Sequence, residues 1–255
     1  MSQSGRVVWH DCVTPDVDKS IDFYTKLFGW EIEEWQGEGM PEPYKMMKNA
    51  GETIGGFMQL DPETGAPPHW ISYFMVDEID AAMQRVLMAG GQVVMPATPI
   101  PTIGKFAIVR DPTGGVVCPY ESEHDARPEY EKGPPHGHFI WEELHATDPK
   151  QAAQFYGEVF GLSVQEMDMG EMGLYRILNR GEFGEAGIMQ KPAEQPGPSS
   201  WLSYVHVDDV DAYAAKATEL GGKTVVEPMT VPNVGRMSVH ADSVGGMFAV
   251  YTPNS

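Results

Sequence analysis

The chain repeats itself, and the repeat limits its possible folds more than any other feature. WHDCVTPDVDKSIDFYTKLFGW, from Trp9 to Trp30, lies over WEELHATDPKQAAQFYGEVFGL, from Trp141 to Leu162. Trp9 and Trp141, Asp16 and Asp148, Phe23-Tyr24 and Phe155-Tyr156, and Phe28-Gly29 and Phe160-Gly161 fall in register. WISYFMVDEIDAAMQRVLMAGG, from Trp70, lies over WLSYVHVDDVDAYAAKATELGG, from Trp201. That register holds through DPTGGVVCPY and DSVGGMFAVY, and the offset between copies changes by a single residue along the whole repeat. Two copies of one fold follow. The stretch between them, SEHDARPEYEKGPPHG, is polar and rich in Pro and Gly, as a domain boundary should be. The expected organisation is a first domain over 1–124, a linker over 125–137 and a second domain over 138–255.

Each copy divides again. Arg6–Val13 reads as a strand. Thr14 can cap a helix that has Pro15 at its first position. Val17, Ile21, Tyr24 and Phe28 recur at helical spacing, and Gly29 stops the helix. Strands are expected near 44–48 and 53–60. The second half has a strand over 70–76, a helix over 77–89 stopped by Gly90-Gly91, and strands near 92–95, 105–110 and 115–120. The second copy repeats the pattern, with helices over 149–160 and 209–220. Its strands are expected at 139–145, near 173–179 and 184–190, at 201–207, and near 223–226, 236–240 and 247–251. The fold class is α+β, built from four βαβββ modules.

Composition narrows the function. Asp and Glu number 37 against 17 Lys and Arg, a formal charge of −20. Such an excess repels phosphate backbones and anionic membranes, so neither nucleic acid nor membrane is an expected partner. No apolar run approaches the roughly 20 residues of a membrane helix, and the N-terminus shows no secretory pattern. Two cysteines, Cys12 and Cys118, make no disulfide framework. A cytoplasmic protein with reduced thiols is expected.

Side chains two apart on a strand share a face. Trp9 with Asp11, Ile71 with Tyr73, and Cys118 with Tyr120 therefore form three such pairs in the first copy. Together they describe a small-molecule pocket with apolar walls and a few polar groups. Asp11 is a candidate general base and Cys118 a candidate nucleophile, set against a buried carboxylate and an inert core thiol. In the second copy Trp141, Glu143 and His145 share one face, and Leu202, Tyr204 and His206 another. Tyr251 repeats Tyr120. Glu143, His145 and His206 would suit a divalent metal such as Zn, Fe, Ni or Mn. The bland alternative leaves both histidines partly solvated at strand ends. Trp9, Tyr73, Tyr120, Trp141, Tyr204 and Tyr251 are candidate ligand contacts, set against packing alone. Trp70 and Trp201 read as core, and so do His10 and Cys12, on the face opposite Trp9. His136-Gly137-His138 reads as an exposed turn. Lys105 and Arg236 read as solvent-facing or as an anion clamp.

The D-x-x-x-(A/S)-x-x-FY-x-x-x-FG helix, the V-D-(D/E)-(I/V)-D-A helix ending in GG, and the D-P-x-G turn before the last strand resemble the vicinal-oxygen-chelate superfamily. Glyoxalase I, extradiol dioxygenases and bleomycin-resistance proteins belong to it. The tandem form with FGW and V-P-x-V-G-R looks like the bacterial glyoxalase-like proteins of the CFP-30B or hydroxylase-like type. The resemblance implies two tandem glyoxalase-like domains whose curled mixed sheets enclose a cavity. It also implies a divalent metal on first- and last-strand His and Glu residues. Here those positions carry Trp9 and Trp141, Ile71 and Leu202, and Cys118 and Ala249, with Met58-Gln59 and Met189-Gln190 on the remaining strand. Indole, aliphatic and methyl groups do not bind hard cations, so no cofactor is expected at the usual positions. Three functions stay open. The first is a protein that binds a small aromatic or amphipathic molecule, as a lyase or isomerase without the usual metal. The second is a metal-dependent lyase or dioxygenase that uses the displaced Glu/His cluster. The third is a drug-sequestering resistance protein. A small-molecule ligand is the expected partner, and the chain is expected to be a monomer or a homodimer.

Overall fold

The computed structural model describes residues 3–37, 42–124, 130, 133–170 and 173–254. Two eight-stranded mixed sheets carry the fold, and neither closes into a barrel. The first contains β1 (Val7–Thr14), β2 (Glu31–Trp35), β3 (Tyr44–Asn49), β4 (Glu52–Gln59), β5 (His69–Met75), β6 (Gln92–Ile100), β7 (Gly104–Arg110) and β8 (Val116–Ser122). Its strand order is β2-β3-β4-β1-β5-β8-β7-β6. The second contains β9 (Phe139–Ala146), β10 (Ser163–Asp168), β11 (Leu174–Arg180), β12 (Phe183–Gln190), β13 (Ser200–His206), β14 (Lys223–Val231), β15 (Gly235–Ala241) and β16 (Met247–Pro253). Its order repeats that of the first, β10-β11-β12-β9-β13-β16-β15-β14. In each module the first strand pairs parallel to the last, as β1 does with β4 and β9 with β12. The helix between them makes the crossover that parallel pairing requires.

Four helices fill the crossovers: α1 (Val17–Phe28), α2 (Ile79–Met88), α3 (Pro149–Phe160) and α4 (Val210–Glu219). Their ends follow from local chemistry. Asp16, Asp148 and Asp209 each accept from a first-turn amide, and Gly29 and Gly161 end α1 and α3 at positive φ. The expected Thr14 cap is corrected. Helix α1 starts two residues later, on Asp16. Thr14 is the last residue of β1, and its buried hydroxyl accepts from the Asp16 amide at 3.3 Å and pairs with Ser20 Oγ at 2.7 Å, so it braces the turn into the helix while Asp16 caps it. Strands β2 and β10 complete the βαβββ modules. Every residue of β10 is exposed, so no alternation of apolar and polar residues announces it.

Core packing divides the chain into two compact units, and the division runs across the copies. One unit comprises Met1–Trp9, Ile71–Pro128 and Trp141–Trp201, and the other His10–Trp70, Glu129–Ile140 and Leu202–Ser255. Within each unit a module of the first copy therefore shares a core with a module of the second. In the first unit Phe74, Ile79, Val86 and Val109 pack with Phe155, Tyr156, Phe160 and Ile188. In the second, Phe23, Tyr24, Leu27, Phe57 and Trp70 pack with Val205, Val210 and Phe248.

A buried polar knot recurs in both cores. The Tyr24 hydroxyl donates to Asp242 Oδ2 at 2.8 Å and accepts from Trp70 Nε1 at 3.0 Å. Tyr156 donates to Asp111 Oδ2 at 2.8 Å and accepts from Trp201 Nε1 at 3.0 Å. The other oxygen of each aspartate gathers amide hydrogens of its own turn, Thr113 and Gly114 in one unit and Val244 and Gly246 in the other. These contacts explain why FY, Trp70/Trp201 and the turn aspartate repeat together. Each is one member of a buried hydrogen-bonded set that is costly to leave incomplete. Burial, reinforced by the neighbouring aspartate, pushes both phenols well above their usual pKa, so they remain donors.

Candidate functional site

A carboxylate, a tyrosine and a glycine meet at the same place in both copies. In the first copy Asp11 on β1 pairs across the ladder with Gly56 on β4. Tyr44, which opens β3, reaches over Gly56 and donates its hydroxyl hydrogen to Asp11 Oδ1. In the second copy Glu143 on β9 pairs with Gly187 on β12, and Tyr175 on β11 reaches over Gly187 to donate to Glu143 Oε2 at 2.8 Å. A Cβ at either glycine would occupy the space of the tyrosine hydroxyl. Glycine is therefore required here to let a phenol lie against the strand. Tyr44 and Tyr175 are the functional candidates that the strand-face reading missed. The available signal was their registration with each other at the same repeat offset as Gly56 and Gly187.

The second copy extends this pair into a chain, all of it within the first unit. Trp141 Nε1 donates to Tyr175 Oη at 2.8 Å. Glu143 Oε1 lies 3.0 Å from His145 Nε2, and His145 Nδ1 lies 3.1 Å from Gln195 Oε1. The Gln195 amide hydrogen goes to Ser200 Oγ at 3.3 Å, which turns the amide oxygen toward the imidazole. Both ring nitrogens thus face acceptors. Burial opposes a charge on His145, but the hydrogen bond and charge of Glu143, with the Gln195 bond, outweigh it and raise the His145 pKa. The loop that carries Gln195 is pinned by Lys191. Its buried ammonium donates to the carbonyls of Pro196 at 2.8 Å, Gly197 at 2.6 Å and Pro198. The first copy has Val13 where the second has His145, and Leu60 where it has Lys191.

The remaining candidates are placed as follows. Asp11 and Cys118 are both buried, and they belong to different units. Cys118 is in no disulfide and lies opposite Tyr73 in the β5–β8 ladder. Tyr73 and Tyr120 meet edge to face at 6.2 Å, and Tyr204 and Tyr251 do the same at 6.4 Å. The Tyr120 and Tyr251 hydroxyls donate to the carbonyls of Ile103 and Val234, which ties them to nearby turns. Trp9 and Trp141 are half-buried. His206 falls in the second unit, where its Nδ1 lies 2.7 Å from the Pro134 carbonyl and its ring meets His136 edge to face. Burial, with His136 beside it, lowers its pKa.

Among the described residues no three His, Cys, Asp or Glu side chains converge to hold a metal ion. Three of the residues that the family resemblance aligns with its metal ligands, Ile71, Leu202 and Ala249, carry no donor atom. Ala249 is fully buried opposite Tyr204, and Ile71 and Leu202 are buried aliphatics.

Three further expectations concern neighbouring residues. Cys12 is buried in a helix-backed core and His10 stacks on Phe139 at 3.7 Å. The His136–His138 turn is only half exposed. His136 faces solvent, but His138 is buried against Asn49 and within 3.6 Å of Glu52. Arg236 forms an exposed two-bond pair with Asp211 at 2.6 and 2.7 Å, and Lys105 lies 3.6 Å from Glu121.

Tandem βαβββ modules, parallel first and last strands and a polar cluster on the first strand of each copy define a glyoxalase-type fold. The chain belongs to the Glyoxalase/Bleomycin resistance protein/Dioxygenase superfamily, whose family model matches residues 6–118 and 137–253. It is 35% identical to CFP32 of Mycobacterium tuberculosis, a protein named as a glyoxylase, over 98% of this chain and 96% of that one. It is 29% identical to the anthracycline biosynthesis protein DnrV of Streptomyces peucetius, over 96% of this chain and 92% of the relative. Its fold matches the Mn(II)-bound glyoxalase of Novosphingobium aromaticivorans with a TM-score of 0.67 at 15% identity, over 99% of this chain and 83% of the other. No helix among the described residues is long and apolar enough to cross a membrane.

Proposed function

We propose that the chain handles a small aromatic or amphipathic molecule, and that the Tyr175–Glu143–His145 relay of the second copy moves a proton on it. The step is of the lyase or isomerase kind and does not use the metal positions of the superfamily. The observation that carries this reading is Glu143, whose two oxygens hold a phenol and an imidazole at 2.8 and 3.0 Å. A carboxylate placed so can pass a proton between them without a metal. The donor-poor usual positions favour the same reading. So does the relative named for the biosynthesis of anthracyclines, which are fused-ring aromatics. In the first copy Asp11, held by Tyr44, is assigned ligand binding, since Val13 leaves it without the histidine. Two buried cysteines in no disulfide are in keeping with a reducing cytoplasm.

The test begins with protein purified without chelator. Its metal content is measured, and a library of aromatic alcohols and ketones is screened by thermal shift. Hits are followed by NMR for turnover. The expected result is a sub-stoichiometric metal and a turnover that E143Q lowers about a hundredfold or more. Gly187→Ala, which displaces Tyr175 while keeping Glu143, should cost most of that activity. One equivalent of Zn, Fe, Ni or Mn whose removal abolishes turnover would overturn the reading in favour of a metal-dependent one. Hits whose shifts are untouched by both E143Q and Asp11→Asn would remove both copies from the function.

A further inference from the structure

In the second unit, the turn that leads into β9 brings two histidines together at the end of β13. The backbone of that turn is fixed by four hydrogen bonds. Asn49 Nδ2 donates to the His136 carbonyl at 2.8 Å, and Trp30 Nε1 donates to the Gly137 carbonyl at 2.7 Å. The Gly137 amide donates to the His206 carbonyl at 2.7 Å, and the His206 amide to the His138 carbonyl at 2.8 Å. The rings of His136 and His206 then meet edge to face, with centroids 4.5 Å apart. Two imidazoles bound to one ion through bonds of about 2.1 Å place their centroids roughly 4.5–5 Å apart. The pair therefore already has the spacing of a chelate.

The His206 ring is also turned for the task. Its Nδ1 lies 2.7 Å from the Pro134 carbonyl, which can only accept. The neutral ring thus carries its hydrogen on Nδ1 and its lone pair on Nε2. A backbone carbonyl on one ring nitrogen is the usual way to orient a histidine that ligates through the other. Burial lowers the His206 pKa, and His136 beside it adds to that, so a proton competes little for the lone pair at pH 7. His136 is exposed, and among the described residues its ring nitrogens make no hydrogen bond. The Asp208 carboxylate acts on His206 from the same end of β13, and the chain's charge of −20 draws cations. Imidazole nitrogens select Zn(II), Ni(II) and Cu(II) over Mg(II) and Ca(II).

We propose that His136 and His206 form a two-histidine site for a borderline-soft divalent ion such as Zn(II) or Cu(II), completed by water, which ties the turn at 134–138 to the end of β13. Neither residue belongs to the Tyr175–Glu143–His145 relay, so the proposal stands apart from the functional reading. Two side-chain ligands hold an ion less firmly than three or four, and the ion is expected to leave during purification without added metal.

The test uses the intact chain after removal of metal. Zn(II) and Mg(II) are titrated in separate calorimetric runs, and trace Cu(II) is added to a sample with assigned histidine ring signals. The expected result is one Zn(II) per chain, no binding of Mg(II), and broadening that falls first on His136 and His206. His136→Ala and His206→Ala should each weaken Zn(II) about tenfold or more, and E143Q should leave it unchanged. His136 is exposed, so its variant and the broadening carry the test even if His206→Ala fails to fold. Absence of Zn(II) binding, or binding that His136→Ala leaves intact, overturns the proposal. Binding that E143Q abolishes places the ion at the relay and overturns it equally.

Discussion

Two histidines show how environment, not residue type, sets the direction of a pH effect. His240 is fully buried, with Ser238 Oγ 2.7 Å from Nε2 and the Phe248 ring at 5.4 Å. Burial lowers its pKa to about 4. The unfolded chain takes up this proton near pH 6.5, whereas the folded chain resists it until about pH 4. The stability linked to His240 is therefore present above pH 6.5 and is lost as pH falls from there toward 4, by on the order of 3 kcal/mol. His145 has the opposite sign. Its raised pKa gives stability that is complete below the unfolded value and is lost as pH rises through the folded one. Urea denaturation at pH 8.5, 7, 5.5 and 4.5 separates the two. His240→Gln should flatten the acid limb relative to the parent chain, in which carboxylate titration is shared by both proteins. An unchanged acid limb would show that His240 is not held neutral. Sequence could place His240 on a strand, but its charge depends on Phe248 and Ser238, which only folding brings to it.

At the scale of the element, the helices are held by what their tyrosines reach. Tyr24 on α1 and Tyr156 on α3 each complete a buried set with a turn aspartate and a tryptophan. Tyr24→Phe and Tyr156→Phe each remove a hydroxyl and leave an aspartate oxygen and an indole hydrogen buried without it. Each should cost about 1–3 kcal/mol, read as a lower urea midpoint with an unchanged slope. A cost near zero for either would mean that the knot is decorative. The existence of these helices was legible from the recurrence of Val17, Ile21, Tyr24 and Phe28. Their starting residue was not, because Thr14 and Asp16 are both competent caps and the extension of β1 through Thr14 decided between them. The wholly exposed β10 was not legible at all, since a strand without a buried face has no period to read.

At the scale of the molecule, the two copies are one folding problem. Phe23, Tyr24 and Trp70 of the first copy share a core with Val205, Val210 and Phe248 of the second. The other core likewise joins Phe74 and Val109 to Phe155 and Tyr156. Chains of 1–124 and 138–255 expressed separately should each expose half of two cores. Neither should melt cooperatively near the temperature of the full chain, and mixing them should restore the transition. A half that melts cooperatively alone at that temperature would show that a single copy suffices.

The repeat, the alternation along strands and the capping residues are local, and they determined the tandem α+β fold and the family resemblance. The pairing of Asp11 with Tyr44 and of Glu143 with Tyr175 was decided by tertiary structure. So was the placing of His206 in the other unit, and the sharing of each core between copies. Those outcomes depend on which strands lie side by side and which modules pack together. Periodicity reports which face a side chain takes, and only the closing of the chain on itself decides what that face meets.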